Sequence, residues 1–292
     1  MKKFIFIFCL IYFSISSIPV LAAESFMFLC SGSGAYLSTK TFTTKVVINS
    51  GGSKGINAAD GTLKFDPKFL KVKSITTDKS VFKLWTAKPS FNNTTGTITF
   101  GGGLPKGYTD TAGDIFFITF TPQRSGKTKT FFASSSVLSA DGKAKDILKE
   151  ADDGFFILGN SRAVADSSAL SKKMSGRILL QVQKDGRSWY VYPSDNRRYY
   201  MGRPLDAYNL MRKLSLGVKH SYITTYLNKT FPLTMSGKIL LDVEDSGKAY
   251  YINPLNRKAY YLDRPKDAFR VMRELGLGIT NEMIDKIPNW AI

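Results

Sequence analysis

The sequence predicts a mainly β chain, with an antiparallel two-sheet sandwich followed by two small α+β units. Three observations carry that reading. Between residues 37 and 158, short runs rich in β-branched and aromatic residues alternate with turn residues and show no helical period. Beyond residue 173 one segment occurs twice: residues 174–218 and 235–279 align without a gap at an offset of 61, identical at 21 of 45 positions. Within each copy the apolar pattern changes from period two to period 3.6, so strands give way to a helix.

The first 23 residues read as an export signal and not as part of the fold. Lys2 and Lys3 form a basic start, residues 4–13 an apolar run, and Val20-Leu21-Ala22 or Leu21-Ala22-Ala23 a small-residue cleavage site. Ser14, Ser16, Ser17 and Pro19 break the run, leaving it short of the ~20 apolar residues of a membrane span. Cleavage would start the mature chain near Ala23 or Glu24; retention as an N-terminal anchor is the other possibility. The expected location is secreted, extracellular or at the cell surface. Cys9 leaves with the signal and Cys30 remains alone, so no intramolecular disulfide is expected.

Residues 24–159 form the sandwich domain. Strands are expected at 42–48, 62–65, 70–75, 82–85, 97–100, 115–120 and 130–132. Gly51 and Gly52, Asp60 and Gly61, Asp66 and Pro67, Gly101 to Gly103, Gly113 and Asp114, Ser125 and Gly126, and Asp141 and Gly142 serve as turns. Trp85, Phe91 and Tyr108 lie near turns, where a flat ring is a candidate sugar platform. Core packing competes for Trp85, while Tyr108, after Pro105-Lys106-Gly107, reads as a surface residue.

At this point the residues carry a resemblance. Ile56-Asn57-Ala58-Ala59-Asp60-Gly61-Thr62-Leu63-Lys64-Phe65-Asp66-Pro67, followed by Leu70-Lys71-Val72, resembles the early strands of a cohesin domain. Gly96 to Phe100, Ala112 to Ile115 with Ile118 to Phe120, and Val137 to Gly142 continue the likeness in order. The resemblance implies a nine-stranded jelly-roll sandwich, related in fold to carbohydrate-binding modules. The role it implies is non-catalytic: holding dockerin-bearing partners in extracellular, often polysaccharide-degrading, assemblies. Asp60 falls where many cohesins carry a partner-facing Asp. Ala58, two residues earlier on the same strand face, replaces a usual Asn. Gly101 to Gly103 follow on the neighbouring face strand, where bulkier or acidic groups are usual, implying a flat, close-approach surface or a bulge.

Residues 160–173 are small and polar and read as a flexible linker. The repeats, 174–230 and 235–292, each parse as βββα. Strands are expected at 178–182, 188–192 and 198–201, and at the same places plus 61. Turns centre on Asp185-Gly186 and Ser246-Gly247. Arg203-Pro204 and Arg264-Pro265 open the helices, and Ala207, Leu210, Met211 and Leu214 make an apolar stripe. Gly217 and Gly278 are the expected helix stops, with a second short helix at 222–227 and 282–287. Alternation places Trp189 and Val191 on one strand face and Tyr190 and Tyr192 on the other. An outward row of Tyr190, Tyr200, Tyr251 and Tyr261, beside Arg203 and Arg264, would stack on sugars or bases while the cations hold carboxylates or phosphates. The same aromatic pairs also serve as ordinary cross-strand packing, and the Arg-Pro-x-Asp motif as a strand-to-helix lock.

The chain carries a formal charge of +18, drawn +6 from residues 24–160 and +10 from 161–292. Such a balance favours anionic polymers, although acidic residues are interspersed throughout. The single His220 corresponds to Asn281 in the second copy, and no Cys/His zinc spacing, P-loop, EF-hand or Gly-x-Ser-x-Gly elbow is present. No metal or cofactor is expected. The reading is an exported, non-catalytic binding or scaffold protein whose partner is a dockerin-like protein or a cell-surface or extracellular polysaccharide, with a link to polysaccharide degradation. A wall- or polysaccharide-binding accessory protein without a dockerin partner is the alternative. A glycan hydrolase or DNA-uptake factor is the third reading.

Overall fold

The computed structural model describes residues 25–30, 32–51, 55–202, 204–262 and 265–290. The expected export signal lies outside them. Eleven strands build the sandwich: β1 (Ser25–Cys30), β2 (Gly34–Leu37), β3 (Phe42–Asn49), β4 (Ile56–Phe65), β5 (Leu70–Thr76) and β6 (Leu84–Asn92), then β7 (Thr97–Tyr108), β8 (Gly113–Pro122), β9 (Gly126–Ser139), β10 (Leu148–Asp152) and β11 (Gly154–Gly159). One sheet runs β10-β1-β3-β8-β5 and the other β2-β11-β9-β4-β7-β6. The expected jelly-roll sandwich is present, with two short edge strands, β2 and β10, adding to its count.

Period-two alternation explains how the sheets face each other. Along β4, Ala59, Leu63 and Phe65 are buried while Asp60 is exposed. The core between the sheets is aromatic: Phe42, Phe120 and Phe156 meet at ring-centre distances of 5.2 to 6.0 Å. Such tilted pairs contribute roughly 0.5–1.5 kcal/mol each beyond their buried area. Gly101 to Gly103, expected as a turn, lie inside β7. They pair with Asp60, Ala59 and Ala58 on one side and with β6 on the other. Neighbouring backbone presses on them: a Cβ on Gly102 would meet the Leu84 carbonyl oxygen at 2.7 Å. Glycine there permits close strand packing, so turn propensity is overridden.

The expected linker is instead a helix, α1 (Ser161–Lys173). The Asn160 side chain accepts from the Ala163 N–H, a standard N-cap, and Lys172 and Lys173 suit the C-terminal dipole. Its buried residues are Ser167 and Ser171, small polar groups that give no apolar stripe to read.

The first repeat contains β12 (Ile178–Gln181), β13 (Arg187–Val191), β14 (Arg198–Tyr200), α2 (Pro204–Leu214), β15 (Leu216–Val218) and α3 (His220–Tyr226). The second contains β16 (Ile239–Asp242), β17 (Ala249–Ile252), β18 (Ala259–Tyr261), α4 (Pro265–Leu275), β19 (Leu277–Ile279), α5 (Asn281–Ile284) and β20 (Asn289–Trp290). Both hairpin turns hold positive φ at the expected pairs, Asp185 with Gly186 and Ser246 with Gly247. Ala207, Leu210 and Met211 are buried as the stripe requires.

The two units are not separate βββα modules. Gly217 and Gly278 do not stop a helix; each sits mid-strand, in β15 and β19. Those strands cross over: β19 of the second repeat pairs in parallel with β12 of the first, and β15 of the first with β16 of the second. β20 then adds to β14. A pseudo-two-fold relation follows. Tyr190 Oη donates to the Gly237 carbonyl at 2.6 Å, and Tyr251 Oη to the Gly176 carbonyl at 2.8 Å. At the centre Gly176 and Gly237 face each other with φ of 73° and 74°, and a Cβ on either would lie 2.4 Å from the other's Cα. One core, including Tyr190, Met211, Tyr251 and Met272, spans both repeats.

The sandwich rests on both repeats, through the hairpin of the first and the last residues of the second. Arg187 Nη1 donates to both Asp152 oxygens at 2.7 Å and also pairs with Glu150, while Lys184 reaches Asp152 at 2.9 Å. Trp290 lies between Lys45 and Arg197, 4.5 and 4.4 Å from its ring centre. Asn49 donates to buried Asp206 at 3.2 Å. Among the described residues no helix is long and apolar enough to cross a membrane.

Candidate partner-binding face

The outer face of β9-β4-β7-β6 is turned away from the sandwich core, and Asp60 stands on it. Period two puts Ala58, Asp60 and Thr62 outward from β4 and Ser134 and Ser136 opposite them on β9. Ser136 Oγ donates to Asp60 Oδ2 at 2.6 Å, which fixes the carboxylate while leaving it exposed. Toward β6, Gly101 and Gly103 add no side chain of their own to the face, and Thr86 lies over Gly101. The result is a shallow recess of about 490 Å³, bordered by Ala58, Asp60, Leu84, Thr86, Pro105 and Leu138. Leu84 on its rim is 60% exposed. A flat patch with one fixed carboxylate, hydroxyls and an exposed leucine can pair with a partner's donors and apolar side chains.

The sequence-derived candidates separate on this structure. Asp60 lies on the face. Tyr108 does not offer an open ring, as was expected of it: it is half-buried against the sandwich core, its ring under Gly113. Burial first, and then Asp110, pushes its hydroxyl above the usual tyrosine range. Trp85 is half-buried against Phe82 at 5.7 Å, and Phe91 remains exposed on β6.

The expected outward tyrosine row does not form. Tyr190 and Tyr251 are buried in the shared core, at 1% and 3% exposure, because their hydroxyls tie the repeats together. Register puts Tyr200 opposite Trp189 and Tyr261 opposite Tyr250, on the other sheet face. Tyr200 is half-buried, 5.2 Å from Trp189, whereas Tyr261 is exposed. The four rings therefore share no continuous surface. Arg203 and Arg264 lie outside the described residues.

Sequence reasoning missed Leu84, Thr86, Ser136 and Leu138, because their meeting with Asp60 depends on strand register across β9 and β6. It also missed a clasp on the repeats. His220 Nδ1 lies 2.7 Å from Asp242 Oδ2, and Asp242 also accepts from the Glu244 and Asp245 N–H groups. Asp245 completes a cluster of possible metal ligands, but Lys248 Nζ already sits 2.6 Å from its carboxylate. The hydrogen bonds explain the cluster without an ion. In the first repeat the equivalent contact is neutral, Gln181 Nε2 to Asn281 Oδ1 at 2.7 Å.

Residues 38–156 match the family model of the cohesin domain. No curated protein matches the chain. Similar solved structures include a type I cohesin–dockerin complex of Clostridium thermocellum, 14% identical, covering 46% of this chain and 99% of that one, with a TM-score of 0.40. A non-cellulosomal cohesin of the archaeon Archaeoglobus fulgidus is 13% identical over 49% and 97%, with a TM-score of 0.40. The seventh ScaB type I cohesin of Pseudobacteroides cellulosolvens is 21% identical over 47% and 94%, with a TM-score of 0.38.

Proposed function

We propose that this chain, whose residues 38–156 match the cohesin family, is an exported, non-catalytic binding protein that holds a dockerin-like protein on the outer face of β9-β4-β7-β6. The observation that carries the reading is Asp60, exposed, fixed by Ser136 and bordered by the Leu84 recess. A partner helix or loop would set a donor on Asp60 and an apolar side chain against Leu84, with the glycines allowing close backbone approach. Buried apolar contact supplies affinity and the carboxylate supplies orientation. The basic start and small-residue site within residues 1–23 support export.

Titration of the full chain against a panel of dockerins tests the reading. Binding by at least one dockerin is expected, with Asp60→Ala and Leu84→Ser each weakening it by about tenfold or more. Silence from the whole panel, or binding indifferent to both substitutions, overturns it. A polysaccharide ligand for this face has less support: of the three candidate rings Trp85 and Tyr108 are half-buried, which leaves Phe91 alone exposed.

A further inference from the structure

We propose that a recess between the two repeats binds one carboxylate-bearing sugar residue of an acidic polysaccharide, independently of the sandwich face. The recess, of about 240 Å³, lies between α2 of the first repeat and the hairpin of the second. Tyr208, Met211 and Arg212 come from the helix; Leu241, Lys248 and Tyr261 come from the sheet. It exists only because the repeats are intertwined, which brings α2 against β16 of the other copy.

The charges in the recess differ in availability. Lys248 is matched by Asp245 of its own hairpin at 2.6 Å. Arg212 donates to the Tyr208 hydroxyl at 2.7 Å, and its guanidinium lies 5.6 Å from that ring centre. It has no carboxylate partner among the described residues, so it stands ready for an incoming anion. Tyr208 and Tyr261, 40% and 37% exposed, offer one ring from each wall. Tyrosine faces stack on the C–H faces of a sugar ring, and guanidinium pairs a carboxylate through two parallel hydrogen bonds.

The molecule contains its own precedent. At the offset of 61, Lys248 and Tyr261 correspond to Arg187 and Tyr200. There Arg187 lies 5.7 Å from the Tyr200 ring centre and holds the carboxylates of Asp152 and Glu150. A hairpin cation beside a tyrosine is thus a carboxylate-binding position in this fold. In the second repeat Asp245 replaces Lys184 and occupies Lys248, which leaves Arg212 as the anion-binding group. A sugar fits better than an acidic peptide on size. The recess is smaller than the roughly 300–1,000 Å³ of a drug-sized pocket, matching a single ring and not a run of residues.

Calorimetric titration of the full chain with polygalacturonate, polymannuronate, fully methyl-esterified polygalacturonate and polyglutamate tests the proposal. At least one free-acid polysaccharide is expected to bind, and esterification or Arg212→Gln to weaken it by about tenfold or more. Tyr261→Ala should weaken it too, while Arg273→Gln, the counterpart on α4, should leave it within about twofold. An unchanged unfolding midpoint shows that each variant is folded. Failure of both free-acid polysaccharides overturns the proposal. So does equal loss from Arg212→Gln and Arg273→Gln, which marks diffuse charge attraction, or equal or tighter binding of polyglutamate or the ester.

Discussion

The two repeats share strands, helix and crossover, yet they meet their surroundings in opposite ways. In the first, Arg187 and Lys184 seize the carboxylates of β10, and Arg198 lies 3% exposed over Trp189 with its Nε on the Ile287 carbonyl. In the second, Lys248 turns to Asp245, and alanine at 259 stands where Arg198 would be. Tyr250 and Tyr261 stay paired at 5.1 Å near the surface. The lesson is a division of labour. Residues that join the copies are retained in both, whereas residues at the hairpin end and outer sheet face have diverged. One copy grips the sandwich with its hairpin cations, whereas its twin touches it through Glu282, Asn289 and Trp290 and keeps its hairpin cation for Asp245.

The comparison breaks most completely at its centre. Gly176→Val puts a β-branched side chain at positive φ against Gly237, and should destabilise the repeats by more than about 3 kcal/mol in chemical denaturation. A loss below about 1 kcal/mol would show that the glycine contact is not tight. Next comes the asymmetric docking of the first repeat. Burial alone would raise the Asp152 carboxyl, but Arg187 and Lys184 outweigh it and hold it below the ordinary range. Stability from this group is therefore complete above its unfolded value near pH ~4 and is lost as pH falls through the depressed folded value. Asp152→Asn should cost about 1–3 kcal/mol at neutral pH and flatten that acid limb, with Glu150 retaining part of the grip on Arg187. Equal acid sensitivity in wild type and variant would place the titration elsewhere. The smallest effect is expected from His220→Asn, which gives the second clasp the amide of the first. It should move stability by less than about 1 kcal/mol, measured by thermal unfolding. A larger loss would show that imidazole, and not hydrogen bonding in general, holds the Asp242 strand.

Much of this architecture was legible because it rests on local chemistry. Asp185-Gly186 and Ser246-Gly247 announced their hairpins through the positive φ they adopt. Ala207, Leu210 and Met211 announced a buried helix face. What escaped reading depends on remote partners. Leu216-Gly217-Val218 has the composition of a helix end, and only its pairing with β16 makes it a strand. Ser167 hides a buried helix face because it packs as a small polar group, its hydroxyl on the Lys286 carbonyl. At the candidate site Asp60 was readable from the motif around it. Leu84 was not, since it reaches Asp60 across the intervening β7. Tyr190 and Tyr251 look like an aromatic surface row in one dimension, and are buried because each must meet the other copy's backbone.

The exchange of β15 and β19 has a consequence for counting. A lone repeat of this kind would lack one strand of its own sheet and expose the edge that its twin covers, so its natural state would be a pair of chains. Fusing two copies makes that partnership permanent and independent of dilution. The unit of inheritance is then the couple: chains that carry this module should hold it in even numbers, and an odd copy should recruit a second molecule.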